Sequence, residues 1–343
     1  MDLELSHEQR ALVDTFSQFF ARECPTTRVR AAEPLGFDEG LWDALVSMEV
    51  PGMGLPERVG GGGASMLDLA LVGEEFGRCL APVPFTEHVA AANLCASAGL
   101  QRVIDGCIDG SILATVACRP AVDGVAALVP AGAVADVVVV MDGDELVALE
   151  RHGDRPHALS PPNLGSSPLG DVHLDVPGHD RTVLARGSDA RSLLDRAMDQ
   201  RRILMAASLV GAGARAHELG VEYVKVRKAF GVTIGWFQTV AHRLADRCTE
   251  LDGARLLFQE AAWAHDECEG NASELAAMAF LFASEKAFAA AADSMQFHGG
   301  YGYTLEYDIQ LYFRRAKAWP LSVGRPGDEY LRLAELAFSE IVA

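Results

Sequence analysis

The chain has 343 residues, half of them hydrophobic and 22% charged, enough for two or three packed units and unlike a disordered chain. Its formal net charge of −19 excludes general nucleic-acid binding, which needs a basic face to displace counterions. A phosphate-bearing ligand stays open, because a few local arginines suffice to hold one.

Residues 1 to 109 read as an N-terminal helical domain. Ser6 is placed to cap a helix with Glu8 and Gln9 in its first turn, ahead of Leu12, Val13, Phe16, Phe19 and Phe20. Further helical stretches run over 41–48, 66–79 and 88–98. The segment GLPERVGGGG at 54–63 can cradle a phosphate or form a tight loop before a helix. It lacks the Lys-Ser or Lys-Thr pair of a P-loop, since Ala64 and Ser65 follow. Residues 110 to 187 change to short β-branched strands at 125–129, 137–141, 145–149, 172–176 and 182–185, with an Asp142-Gly143 turn and a Pro/Gly/Ser-rich loop at 159–170. Residues 188 to 343 return to helix: 193–226, broken at Gly211 and Gly213, then alanine-rich stretches at 237–268 and 272–297. Alanine favours helix and lets helices approach closely, so this region predicts an antiparallel bundle. The fold class read from this order is mainly α with a small central β domain.

Cysteines 24, 79, 95, 107, 118, 248 and 268 form no CxxC pair, so reduced thiols and a cytoplasmic location are expected. The N-terminal residues lack the basic and apolar regions of a secretory leader. Charges interrupt the apolar runs, so no membrane-spanning helix is expected. His265, Asp266 and Glu267 lack metal-ligand spacing, and no metal site is expected. The pairs His242/Asp246 and Arg243/Arg247 read as solvated helix faces.

Two segments carry chemistry. YVKVRKAFGVTIGWFQ, at 223–238, sets an arginine, an aromatic ring and an amide around a turn at Gly231. An arginine fork can hold a pyrophosphate and a ring can pack on a purine or flavin; a helix-to-helix turn with a capping glycine is the other reading. QFHGGYGYTLEY, at 296–307, places glycines where a backbone or ligand can come close; a helix stop with an aromatic packing turn is again the alternative.

Together the two segments resemble the C-terminal motifs of the acyl-CoA dehydrogenase family. The resemblance extends through 198–211, the 54–56 loop and the EEFGR stretch at 74–78. It implies an N-terminal helical domain, a reduced β-barrel domain and a C-terminal four-helix bundle. It also implies FAD as cofactor. Arg227 is the expected contact to the FAD pyrophosphate, with Phe230, Ile234, Phe237 and Gln238 completing that wall. Gln296, Gly299 and Gly300 are expected to approach the adenosine end. In the family these residues reach the flavin of a neighbouring subunit.

The chain departs from the family where the reaction occurs. Family chemistry is α,β-desaturation of an acyl-CoA thioester, which needs a carboxylate base. One family base position is Val323 here and the other is Arg201. Neither can accept a proton at physiological pH. The Thr-Glu-Pro, Gly-Ser-Asp and Trp-Ile-Thr-Asn stretches that line the flavin ring are absent. The chain therefore resembles the smaller subunits of heteromeric α2β2 acyl-CoA dehydrogenases, which pair with a larger subunit and take bulky, sterol-derived CoA thioesters. The expected partners are a larger subunit and an acyl-CoA, with no nucleic acid and no membrane. Two alternatives stand beside this one. The first is a self-sufficient homo-oligomer whose base is displaced to Glu306, Asp308, Asp328 or Glu329; the second is a non-catalytic scaffold retaining the fold.

Overall fold

The computed structural model describes residues 4–342. The leader reading begins at residues 1–3, outside the described residues. Ser6 opens α1 (His7–Glu23) with a capping box. Its hydroxyl accepts the Gln9 N–H, and the Gln9 side chain accepts the Ser6 N–H. α2 (Thr26–Ala32), α3 (Glu39–Val46), α4 (Met66–Cys79), α5 (Phe85–Ser97) and α6 (Gln101–Ile108) follow. The sequence reading missed α2 and α6, which are too short for a helical period to stand out. The glycine run between α3 and α4 is a tight loop. The N–H groups of Gly60, Gly61, Gly62 and Gly63 donate to Glu57, Pro56, Gly52 and Leu55 carbonyls, so none is left to cradle a phosphate.

The strands are β1 (Ala114–Val116), β2 (Val125–Val129), β3 (Val137–Asp142), β4 (Glu145–Glu150), β5 (Gly170–His173) and β6 (Asp180–Arg186). One sheet has the order β1-β3-β4-β6, with β1 parallel to β3 and the other neighbours antiparallel; β2 and β5 form a separate antiparallel pair. The three residues of β1, an element the sequence reading left out, join β3 through a non-local pairing. α7 (Gly187–Val226) comes next, then a minimal hairpin of β7 (Lys228–Ala229) and β8 (Val232–Thr233). α8 (Gln238–Asp266), α9 (Ala272–His298), α10 (Ile309–Ala318) and α11 (Pro326–Val342) complete the chain.

Two compact units result, neither continuous in sequence. One contains Arg30–Leu69 and Pro82–Arg201; the other contains the chain up to Val29, Ala70–Ala81 and everything from Arg202 onward. The division falls inside α7.

In the strand-containing unit α5 is almost wholly buried and packs on β1. His88 sits at its centre, 1% exposed, with the Trp42 ring edge-on at 5.1 Å. The His88 Nε2 lies 3.2 Å from the Pro51 carbonyl, and Nδ1 accepts the Ala114 N–H at 3.2 Å. These partners demand the neutral Nε2–H tautomer. Burial pushes the imidazole down to about 4, against an opposing hydrogen bond to Pro51. The folded pKa is depressed, so the stabilisation is complete above the unfolded value near 6.5 and is lost as pH falls towards 4. We expect about 3 kcal/mol to disappear across that window. Urea midpoints measured from pH 7 to 4 should show the loss in wild type and a shallower one in His88→Gln.

The helical unit is built on close contacts. Phe20 of α1 meets Phe76 of α4 edge-to-face at 4.7 Å, and α9 packs against α8, α10 and α11. α7 runs through Gly211 and Gly213 without a break, correcting the interruption read from the sequence. A Cβ on Gly211 would meet the Glu74 carbonyl oxygen, and one on Gly213 would meet Ala287. These glycines mark where helices touch. The expectation about apolar runs also needs correction. The segment Ala272–Tyr303, mean hydropathy 1.4 over its window, is long and apolar enough to cross a membrane. Alanines together with leucines and phenylalanines supply that hydropathy, and half of the window is buried inside the protein, as in a core helix.

Candidate functional site

α7 ends at Val226 and the chain enters the β7–β8 hairpin, pairing Lys228 with Thr233 and Ala229 with Val232. Its two turn residues, Phe230 and Gly231, have φ of 54° and 85°, as a type I′ turn requires. The turn predicted at Gly231 is therefore a hairpin. Positive φ is unfavourable for an aromatic residue, and Phe230 pays that cost while 96% exposed. Its ring meets Phe237 edge-on at 6.2 Å, and Trp236 beside them is 80% exposed. Arg227, at the base of the hairpin, is exposed, and its carbonyl accepts the Ile234 N–H at 2.8 Å. A short 3-10 turn over Ile234–Trp236 leads to Gln238, the first residue of α8, also exposed.

The second segment meets the first. α9 ends at His298, and Gly299 takes φ 61° and ψ −139°, a conformation closed to residues with a Cβ. The chain then turns in a 3-10 helix, Gly299–Tyr303. The Arg227 guanidinium lies over the Tyr301 ring at 5.7 Å. Tyr223, one helical turn before Arg227, stacks on His298 at 4.1 Å, and Tyr307 packs edge-on to both. His298 Nδ1 lies 2.7 Å from the Ser294 carbonyl, and burial holds its pKa below the ordinary value against that hydrogen bond. A Cβ added at Gly299 or Gly300 would meet nothing within 4 Å, so open space lies beside both. Gln296 is exposed on the last turn of α9. This clamp of Tyr223, His298, Tyr301 and Tyr307 was missed from sequence. The signal available was an aromatic one turn before Arg227 and a tyrosine-rich run after the glycines.

The base positions look different. Arg201 is fully buried. Its guanidinium donates to Glu87 Oε1 at 3.0 Å, Val116 carbonyl at 3.3 Å and Cys118 Sγ at 2.7 Å. Burial opposes its charge, but Cys118 and Glu87 outweigh burial and hold its pKa above the ordinary value. Val323 is 2% exposed, at the end of the 3-10 turn Trp319–Ser322. Arg202 and Glu329, both buried, form a two-pronged ion pair at 2.7 and 3.1 Å. A Cβ on Gly324 would lie 2.5 Å from Glu329 Oε1, so this glycine makes room for that carboxylate. Of the other displaced-base candidates, Asp308 accepts from the Thr26 hydroxyl, Asp328 pairs with Arg325, and Glu306 is exposed.

Removing one partner of a buried pair leaves an uncompensated charge. Glu329→Gln should therefore cost about 3 kcal/mol, while the double change Arg202→Met with Glu329→Leu should cost much less. Urea denaturation of both variants tests this, and equal losses would refute the pairing as the cause.

The family profile described as acyl-CoA dehydrogenase, C-terminal domain, matches residues 191–325, and the one for the N-terminal domain matches 6–103. Acyl-CoA dehydrogenase IpdE2 of Mycolicibacterium smegmatis is 32% identical over 337 residues, covering 97% of this chain and 100% of that protein. The chain belongs to the acyl-CoA dehydrogenase family. Among solved structures, a variant of the Tcur3481-Tcur3483 steroid ACAD aligns with TM-score 0.85 and 26% identity over 98% of this chain and 99% of that one. The ChsE4-ChsE5 complex from Mycobacterium tuberculosis aligns with TM-score 0.85 and 25% identity over the same shares.

Acyl-CoA dehydrogenases are FAD-dependent flavoproteins. The hairpin and glycine turn of this member suit that cofactor. They offer a solvent-facing guanidinium, open glycine backbone and exposed amides, the donors that a pyrophosphate and an adenosine call for.

Proposed function

We propose that this chain is the base-less subunit of a heteromeric, FAD-dependent acyl-CoA dehydrogenase. It supplies the pyrophosphate and adenosine side of a shared flavin site. A larger partner chain brings the catalytic carboxylate and the residues around the flavin ring. One contrast carries this reading: the Arg227 hairpin is open to solvent, whereas Arg201 at a base position is sealed in an ion pair with Glu87. Val323 offers no proton acceptor, and the ion-paired Glu329 is an acceptor already committed to Arg202.

The exposed Phe230, Trp236 and Phe237 support a partner that covers this face, because contiguous exposed aromatics mark interaction surfaces. Arg227 would grip the pyrophosphate, Gly299 and Gly300 would admit the adenosine, and the hairpin aromatics would exclude water. FAD, when bound, takes up the hydride released from the acyl β-carbon. A bulky, sterol-derived acyl-CoA is the proposed substrate class, in line with the similarity to a steroid ACAD.

The test is co-expression with a candidate larger subunit. The complex should be yellow, with about one FAD per heterodimer, and should oxidise acyl-CoA. The chain alone should be colourless and inactive. Turnover by the single chain would instead establish a displaced base, and a complex without flavin contact from this chain would establish a scaffold.

A further inference from the structure

A second site lies within the strand-containing unit. A cavity of about 720 Å³ opens between the β2–β5 pair and the loop that follows β4. Its walls include Leu128, Leu159, Pro161 and Val176, an apolar surface suited to a small organic molecule. The polar lining comes from Arg151 and the histidines His157, His173 and His179, with Asp171.

Arg151 is unusual in this lining. It is 7% exposed, and its guanidinium donates to the Ala135 carbonyl, but its buried Nε has no hydrogen-bond partner. The neighbouring carboxylate, Asp136, is occupied. It takes Arg155 at 2.5 Å, His157 at 2.9 Å and the Leu113 N–H at 2.7 Å. Burial pushes the Asp136 carboxyl up, but the His157 and Arg155 hydrogen bonds outweigh burial and hold it below the ordinary range. His179 also lines the cavity, with a buried Nδ1 lacking a partner. Buried polar groups are normally paired, so two orphans in one cavity wall indicate missing acceptors or donors. Asp171 does not fill that role for Arg151, since it caps the Leu128 N–H at 2.7 Å.

The geometry points to a binding site for a small organic monoanion, a carboxylate on an apolar body, with Arg151 as its counter-charge. A single guanidinium matches a single negative charge, and Asp171 at the rim disfavours a phosphate dianion. Burial brings the Arg151 guanidinium down to about 10, so it stays charged at neutral pH. Among the described residues no cluster of His, Cys, Asp and Glu could hold a metal ion, and the partnerless His179 Nδ1 supplies a histidine donor to the anion. This site does not depend on the heteromer reading.

Calorimetric titration of the full chain with 1-adamantanecarboxylate tests it, beside the neutral 1-adamantanecarboxamide and inorganic phosphate. Saturable binding of the carboxylate alone is expected. Arg151→Met should weaken it at least about tenfold, as loss of a charge-assisted contact implies. Because Arg151 also holds the Ala135 carbonyl, Leu159→Asp on the exposed rim provides a second variant that places a repelling charge without touching the core; it should weaken binding several-fold. Arg227→Ala should leave binding unchanged, which separates this site from the flavin face. No saturable binding to wild type, equal binding of the amide, preference for phosphate, or unchanged binding in both cavity variants would overturn the proposal.

Discussion

Arg227→Ala is expected to strip FAD from the proposed heteromeric complex while leaving the fold intact. Arg227 is exposed and its guanidinium lies over the Tyr301 ring. An exposed cation–π contact is worth about 0.5–1 kcal/mol, so the loss of stability is small. A hydrogen bond to a charged group is worth about 1.5–3 kcal/mol, which converts to FAD bound roughly 10- to 100-fold more weakly. Flavin absorbance per heterodimer after gel filtration measures the effect. Arg227→Lys should retain part of the occupancy, because the charge remains but the planar fork is lost. Full occupancy in the alanine variant would remove Arg227 from the site. A companion substitution, Val323→Glu, should not make the single chain active. Position 323 is buried, and Arg201 at the other base position still holds Glu87 and Cys118.

Gly77→Ala and Gly211→Ala should each destabilise the helical unit by more than about 4 kcal/mol, beyond the usual range for a point change. α4 and α7 touch backbone to backbone at these positions. A Cβ on Gly77 would collide with the Ser208 carbonyl, and one on Gly211 with the Glu74 carbonyl, both well inside 3.0 Å. The Ser208 hydroxyl donates to the Gly73 carbonyl across the same contact. No rotamer change relieves a clash with backbone, so the helices must move apart and lose packing along their length. Gly253→Ala is the contrast. It lies within α8, and its added Cβ would meet only Phe282 at 3.8 Å. Helix propensity then dominates and should raise stability by up to about 1 kcal/mol. Urea midpoints of the three variants decide the matter; similar behaviour of all three would mean that the close crossing does not limit stability.

Much of the architecture was readable locally. α4 was bounded correctly at 66–79, β2 at 125–129, and Ser6 was identified as a cap. These depend on neighbours a few residues apart, where periodicity and capping chemistry act. α2, α6 and β1 were not readable. The helices are short, and β1 exists because Ala114–Val116 can pair with Val137–Val139. For the proposed flavin face, the turn residues were legible, but the clamp was not. Nothing in the spacing says that the Tyr301 ring underlies Arg227 or that Tyr223 stacks on His298.

The sequence by itself determined the helix–strand–helix order, the two turn segments proposed to meet the flavin and the absence of a carboxylate at positions 201 and 323. Those facts reside in residue identity and local spacing. Only the tertiary structure decided that Arg201 is neutralised by Glu87, that Glu329 belongs to Arg202, that Gly211 is a helix contact and that Arg151 faces a cavity without a carboxylate of its own. Each depends on which distant residues share a buried space, where an unpaired charge or an extra Cβ carries a large cost.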